Sequence, residues 1–257
     1  RHALTANPYM NMVLMAFVDE DKIRAYDNGK EPAEVALHDQ LAKYYKLSFL
    51  NLAQEVQQRI ANKEFTWKDD FKDLHPSPFG QEIYFQTIKT LLKNAAGQYR
   101  NESLVKSILP AVQNKGYYGS GRYVSVDKAT ALKGFSVTPN WQPNDKAETR
   151  ARFVHVPVLE ANQPGASFSF TFTGNAAGIA IVAGPDAGMI KYSVDGKPDK
   201  VMDLYTQWSG GLHLPWYLVL ADGLPKGKHI LKVQITAQKN KDSKGNACRI
   251  VYFLANE

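Results

Sequence analysis

With a single cysteine among its 257 residues, Cys248, the chain can form no internal disulfide, no cysteine-ligated zinc site and no Cys-x-x-Cys redox pair. That cysteine stands in Ala247-Cys248-Arg249-Ile250-Val251-Tyr252-Phe253, a strand-like run in which a buried, inert thiol is expected. No run approaches eighteen apolar residues, so no membrane span and no membrane partner is predicted. Internal repeats and low-complexity tracts are absent as well. The formal charge of +6 invites an anionic partner, yet the excess is thin: 15 basic against 14 acidic residues up to position 120, and 16 against 11 beyond it. Its densest stretch, Lys239 to Lys244, has no interleaved aromatics on which bases could stack, so no nucleic-acid partner is expected.

What is present is an ordinary globular composition, 44% hydrophobic and 22% charged, in a length that suits one large domain or two medium ones. The chain opens on Arg1-His2-Ala3-Leu4-Thr5, neither a leader nor a methionine start, so a further segment upstream is expected.

The apolar run Met12 to Val18, closed by Asp19-Glu20-Asp21, is too continuous for a half-exposed antiparallel strand and reads as a buried strand of a parallel sheet. Pro32 then opens a helix over 32–46 with Val35, His38, Ala42 and Tyr45 on one face. A second short apolar run, Leu47 to Leu50, leads to Asn51, a cap for a helix whose face is Leu52, Val56 and Ile60. Residues 62–78 lack any period and read as an exposed loop; Phe79, Ile83, Thr87, Ile88, Leu91, Leu92 and Ala95 mark one more amphipathic helix. This alternation is the back half of an α/β layered domain, in which chemistry sits in loops at strand ends.

From Gly116 the pattern changes to short alternating runs between turn signals: Ser167 to Phe172, Gly178 to Val182, Lys191 to Val194, Leu218 to Ala221, His229 to Ile235 and Arg249 to Leu254. Asp195-Gly196 is a hairpin-turn signal. An all-β domain of β-sandwich or jelly-roll type is predicted over 115–257, after an α/β domain over 1–114.

The richest local signal is Asp69-Asp70-Phe71-Lys72-Asp73-Leu74-His75-Pro76-Ser77-Pro78. Pro76 pins the backbone after the histidine, and Pro78 presets a first helical turn, so the imidazole leaves the loop in a fixed direction with carboxylates nearby. A general base needs that placement, with a carboxylate to set its tautomer. A bare His-Pro helix start after an acidic loop also serves as a capping arrangement alone.

The block from Asp73 to Tyr84, DLHPSPFGQEIY, resembles the last conserved block of the SGNH/GDSL hydrolases, where an Asp shortly before a His-Pro pair supplies acid and base. The likeness spans about residues 10 to 95, and its specific part is the His-Pro block. It implies the last part of a flavodoxin-like three-layer domain and serine esterase chemistry, without metal or organic cofactor, in which His75 deprotonates a serine and then protonates the leaving alcohol. The family's Gly-Asp-Ser nucleophile turn and its Gly and Asn oxyanion donors do not occur in this sequence. The resemblance therefore implies an N-terminal hydrolase segment supplied in cis or as a separate chain. In the commonest family pattern the Asp lies three residues before the His, but Lys72 stands there, which leaves Asp73, Asp70 or a backbone carbonyl to orient the ring. Secretion, or export to the periplasm, is implied as well.

The remaining histidines carry less. His38 is expected on an apolar helix face, and His155, His213 and His229 have no partner at metal spacing, so no metal is predicted. Ser120 in Gly119-Ser120-Gly121 fits a linker rather than a nucleophile turn, since Tyr118 and Arg122 occupy the outer glycine positions of Gly-x-Ser-x-Gly. Trp208, Trp216 and Trp141 either fill the sandwich core or present faces on which a sugar could stack. The expected function is a serine ester hydrolase acting on O-acetylated carbohydrate or another ester. The rival is a non-catalytic carbohydrate-binding protein that uses its β-sandwich.

Overall fold

A computed structural model describes residues 1–97, 105–114 and 116–257. They fall into two units, Arg1–Val112 and Gln113–Glu257. Position 115, where the sequence places the start of its second domain, lies outside the described residues.

The first unit runs α1 (His2–Ala6), β1 (Val13–Met15), α2 (Glu20–Asp27), α3 (Ala33–Tyr45), β2 (Ser48–Leu50), α4 (Leu52–Ala61), a π-helical turn (Trp67–Phe71) and α5 (Pro78–Gly97). β1 and β2 pair in parallel, with Val13 opposite Ser48 and Met15 opposite Leu50, the strand sense expected of an α/β layer. The burial expected of 12–18 is only partly met. Ala16 and Val18 are buried, but Met15 and Phe17 are 39% and 47% exposed, because β1 has one strand neighbour among the described residues. Helix α4 starts as anticipated, with the Gln54 amide donating to the Asn51 side chain and Leu52 and Val56 buried. Helix α2 was not foreseen, although its signal stands in the sequence: Asp19 accepts from the Lys22 amide and Glu20 and Asp21 occupy the first turn. On α3, Val35 and Ala42 are buried, whereas His38, expected as a satisfied interior or boundary residue, is exposed, with its Nδ1 donating to the Glu34 carbonyl at 2.6 Å.

The loop expected at 62–78 is more ordered than its lack of period suggested. Phe71 is fully buried, stacked on Trp67 at 5.0 Å and edge-on to Tyr84 at 5.6 Å. Aromatic packing, which has no sequence period, holds this segment.

The second unit contains β3 (Gly121–Ser125), β4 (Ala129–Lys133), β5 (Ser136–Thr138), β6 (Glu148–Thr149), β7 (Val158–Ala161), β8 (Ser167–Gly174), β9 (Ala176–Ala183), β10 (Met189–Val194), β11 (Lys200–Asp203), β12 (Leu212–Ala221), β13 (Gly227–Ile235) and β14 (Cys248–Asn256). Each of the six runs anticipated from alternation lies within an observed strand. One sheet has the order β11-β10-β13-β8-β4, and the other β5-β7-β14-β9-β12-β6 with β3 also on β14. The β10–β11 hairpin turns at Asp195 and Gly196, both at positive φ (53° and 72°), with the Lys197 amide donating to Val194 at 3.1 Å, as a type I′ turn requires.

Strict alternation on β8 and β13 puts Phe168, Phe170, Leu231 and Val233 on one face, against Ile179, Ile181 and Phe253 of the larger sheet. The rings of Phe170 and Phe253 stack at 4.1 Å. These facing layers make a β-sandwich. Cys248 lies in this core, and burial pushes its thiol up to about 12. The outer face of the larger sheet carries a second apolar cluster of Trp141, Phe153, Val158, Ala180, Val182 and Val251. Arg249 forms a bidentate pair with Asp186, two contacts of 2.7 Å, and lies 5.4 Å over the Trp141 ring. With layers on both sides, every residue of β9 is buried.

An ion pair between the buried His229 and the exposed Asp195 closes one end of the smaller sheet: His229 Nδ1 lies 2.6 Å from Asp195 and its Nε2 lies 2.8 Å from the Pro225 carbonyl. Asp195 and the Pro225 carbonyl raise the His229 pKa above 6.5, and His229 with the Ile230 amide lowers that of Asp195 below 3.8. The raised histidine contributes fully below its unfolded pKa and loses that contribution as pH rises through its folded value; the depressed carboxylate contributes above its unfolded pKa and loses this as pH falls. His229→Gln should therefore destabilise the second unit most between about pH 4.5 and 6 and much less near about pH 9, checked by urea unfolding at those pH values.

Candidate active site

The loop between the π-helical turn and α5 carries the three residues singled out by chemistry. Thr66 caps the turn, and its amide and hydroxyl donate to Asp70 at 2.7 and 3.0 Å. Those bonds hold the Asp70 carboxyl below the usual carboxylate range. Asp70 is thus engaged on its own turn rather than with the histidine; its carbonyl accepts from Ser77 Oγ. Lys72 follows at positive φ (87°), which reverses the chain. Asp73 then accepts from the His75 amide at 2.5 Å, and its Oδ1 lies 3.5 Å from His75 Nδ1. Of the two carboxylates, Asp73 is the one beside the imidazole. The His75 side chain is 85% exposed and its Nε2 has no protein partner among the described residues, so that nitrogen is open to a reacting group.

What keeps the loop in place lies beneath it. The Ser77 amide donates to the Phe71 carbonyl at 2.9 Å, and Pro76 and the Phe71 ring leave no room for a side chain at position 80. A Cβ on Gly80 would lie 2.8 Å from Pro76 Cβ and 2.9 Å from the Phe71 ring. Tyr84, one turn further along α5, accepts from the Val18 amide at 3.2 Å and so ties the helix to the chain leaving β1. Neither Gly80 nor Tyr84 was nominated from the sequence, although both belong to the quoted block.

At the carboxyl end of β1 opens a cleft of about 370 Å³ lined by Met15, Phe17, Asp19, Lys22, His38 and Leu74 among others. Leu74 immediately precedes His75, so the histidine loop contributes to its wall. Lys22 Nζ bridges Asp19 and Glu34 on the polar side of the cleft, while Met15, Phe17 and Leu74 present exposed apolar surface. A crevice beyond the carboxyl end of a parallel strand is where open α/β sheets place their ligands.

No family profile matches this chain, and no curated protein sequence matches it. Among solved structures, a two-domain esterase (CEX) active on acetylated mannans is similar over 99% of this chain and 66% of its own, with a TM-score of 0.74 and 16% identity. The same kind of esterase co-crystallised with mannopentaose gives a TM-score of 0.70, again at 16% identity, over 99% of this chain and 65% of that one. The fold is carbohydrate-esterase-like. This chain spans about two thirds of the length of those esterases.

Within this esterase-like fold the three tryptophans do not make one platform. Trp141 is 4% exposed; its Nε1 donates to Glu160 at 3.1 Å and its ring meets His213 edge-on at 5.6 Å. It therefore fills the outer cluster of the larger sheet and offers no face to a sugar, which corrects its place among the binding candidates. Trp216 shares the strand face of Leu214 and Leu220 but stays 39% exposed on β12. Trp208 is 57% exposed on the β11–β12 loop, which is held by the buried Ser209 hydroxyl beside the Thr206 amide and hydroxyl at 2.9 and 3.0 Å.

Gly80→Ala should destabilise the first unit by about 1–3 kcal/mol, as overpacking against a buried ring does, and should raise proteolytic cleavage within 72–78. Denaturant unfolding and limited proteolysis check both effects.

Proposed function

We propose that this chain is the C-terminal part of a secreted serine ester hydrolase of SGNH/GDSL type, with residues 1–114 completing the hydrolase domain and 115–257 forming its β-sandwich accessory. The observation that carries the reading is the Asp73–His75 pair, exposed on a loop packed over Phe71 beside the cleft at the carboxyl end of β1. His75 Nε2 takes the proton of a serine hydroxyl as its Oγ attacks an ester carbonyl, then returns it to the alcohol oxygen as the C–O bond breaks, leaving an acyl-serine. Water is deprotonated by the same nitrogen in the second half-reaction and releases the acid. Asp73 faces Nδ1, keeps Nε2 the free acceptor and stabilises the imidazolium; the 3.5 Å separation shortens to a hydrogen bond once charge develops. The chemistry needs neither metal nor organic cofactor.

The serine belongs to a hydrolase segment outside residues 1–257, in cis or on a separate chain. Its place is the open edge of β1: two parallel strands bury little by themselves, and Met15 and Phe17 are exposed beside that edge. The fold shared with an esterase active on acetylated mannans supports an O-acetylated carbohydrate as substrate, with Trp208 and Trp216 as available stacking rings. Nothing in the reading calls for a nucleic-acid or membrane partner.

In the whole protein that carries this chain, a fluorophosphonate probe should label a serine outside residues 1–257, and His75→Ala should abolish the label and lower ester turnover about 10³-fold or more. Label on a serine within residues 1–257 would overturn the assignment, and no label together with retained polysaccharide binding would favour the non-catalytic reading. Asp73→Ala should cost more turnover than Asp70→Ala, since Asp70 is bonded to Thr66. The reverse ranking would move the acid role to Asp70.

A further inference from the structure

The strand register of the larger sheet builds a feature that no single stretch of sequence displays. Tyr123, Leu254, Gly178 and Val219 stand opposite one another across β3, β14, β9 and β12. In the neighbouring row Tyr252, Ala180 and Tyr217 are likewise aligned. Side chains two apart share a face, so both rows lie on the outer side of the sheet, opposite the sandwich core. Small residues on the central strand β9 form a floor, and the tyrosines of flanking strands form walls. Together they enclose a groove of about 350 Å³, within the volume range of small-ligand sites, about 300–1,000 Å³.

The walls are exposed but fixed. Tyr123 and Tyr217 are 60% and 53% exposed, yet Tyr123 lies 5.0 Å from the Tyr252 ring at 33° and 6.4 Å from that of Tyr217, also at 33°. Phe153 supports Tyr217 edge-on at 5.9 Å. Holding these rings in advance removes much of the ordering cost of binding. At one end the buried Asn256 is already engaged, accepting from the Ser120 amide at 3.0 Å and donating to Asn175 at 2.6 Å, and the Tyr118 hydroxyl lies 3.4 Å from Asp222. The one charged residue lining the groove among those described, Arg122, is paired with Glu257. The lining therefore carries no net charge to attract an anion.

We infer that this groove binds a neutral polysaccharide chain, with pyranose rings laid against Tyr123 and Tyr217. The C–H faces of a pyranose match the negative faces of the tyrosine rings, and its equatorial hydroxyls reach the phenolic groups at the rim and solvent. The neutral lining disfavours uronate-rich chains. The site lies wholly within the second unit, and it does not draw on the His75 chemistry.

Affinity electrophoresis of the full chain carrying His75→Ala tests this, using soluble galactomannan, xyloglucan and mixed-linkage glucan, with polygalacturonate as the charged comparison. At least one neutral polysaccharide should retard the protein. Tyr123→Ala and Tyr217→Ala should each weaken that binding about tenfold, while Tyr123→Phe retains it. Because these rings also pack on neighbours, Val219→Arg provides a second variant: it projects from an exposed position opposite Gly178 and should block the groove without disturbing the ring stack. Binding to none of the neutral chains, tighter binding to polygalacturonate, or unchanged binding in Val219→Arg would overturn the inference. So would protection of Tyr123 from nitration in the absence of sugar, since protein would then cover the face. Turnover of a small soluble acetyl ester by the whole protein reports separately on His75, so failure of one reading leaves the other standing.

Discussion

The Phe71 ring, wholly enclosed by Trp67, Phe65 and Tyr84, is the contact on which the geometry of the histidine loop depends. It fills the space that a side chain at position 80 would need, which brings α5 close, and its carbonyl receives the Ser77 amide just after His75-Pro76. A loop with few regular backbone bonds stays in one conformation because a large apolar group beneath it would otherwise be exposed to water. The carboxylates above divide according to that frame: Asp70 turns back to Thr66 and closes the π-helical turn, and Asp73 is left beside the imidazole.

A comparable constraint organises the second unit. Strand β9 is covered on both faces and is accordingly built from alanine, glycine, isoleucine and valine. Toward the smaller sheet its isoleucines meet the phenylalanines of β8. Toward the outside its small residues admit the Trp141 and Phe153 layer at one end and leave a groove under the tyrosines at the other. One strand thus supplies the floor for a packed layer and for a concave surface, and the difference between them is which loop lies above.

Legibility in the sequence followed the range of the forces involved. Helix α4 with its Asn51 cap, the six alternating strand segments and the Asp195-Gly196 turn were read correctly because each is decided by neighbours along the chain. Helix α2 was overlooked because its acidic first turn also reads as the end of a strand. The burial expected of 12–18 was met only in part, and His38 lies exposed rather than interior or at the boundary, since burial depends on what packs against a segment and periodicity cannot supply that neighbour. Likewise the order within 62–78 comes from aromatic contacts that leave no periodic trace.

For the candidate site, the residues of Asp73-Leu74-His75-Pro76 could be picked out by type and spacing, because prolines and a nearby carboxylate act locally on the histidine between them. Which carboxylate turns toward the ring shows only in the hydrogen bonds of the folded loop, while which tryptophan is buried and which tyrosines share a face were decided by tertiary structure. Asp70 is taken up by Thr66 before the chain reverses at Lys72 and Asp73 by the His75 amide after it, Trp141 is claimed by Glu160, His213 and Arg249 from distant strands, and Tyr123 and Tyr217 meet only through a register spanning four strands. The sequence by itself determined the local elements, their strand or helix character and the composition of the histidine loop. The fold decided the exposure of the tryptophans and the groove, because each of these is a relation between residues far apart in the chain.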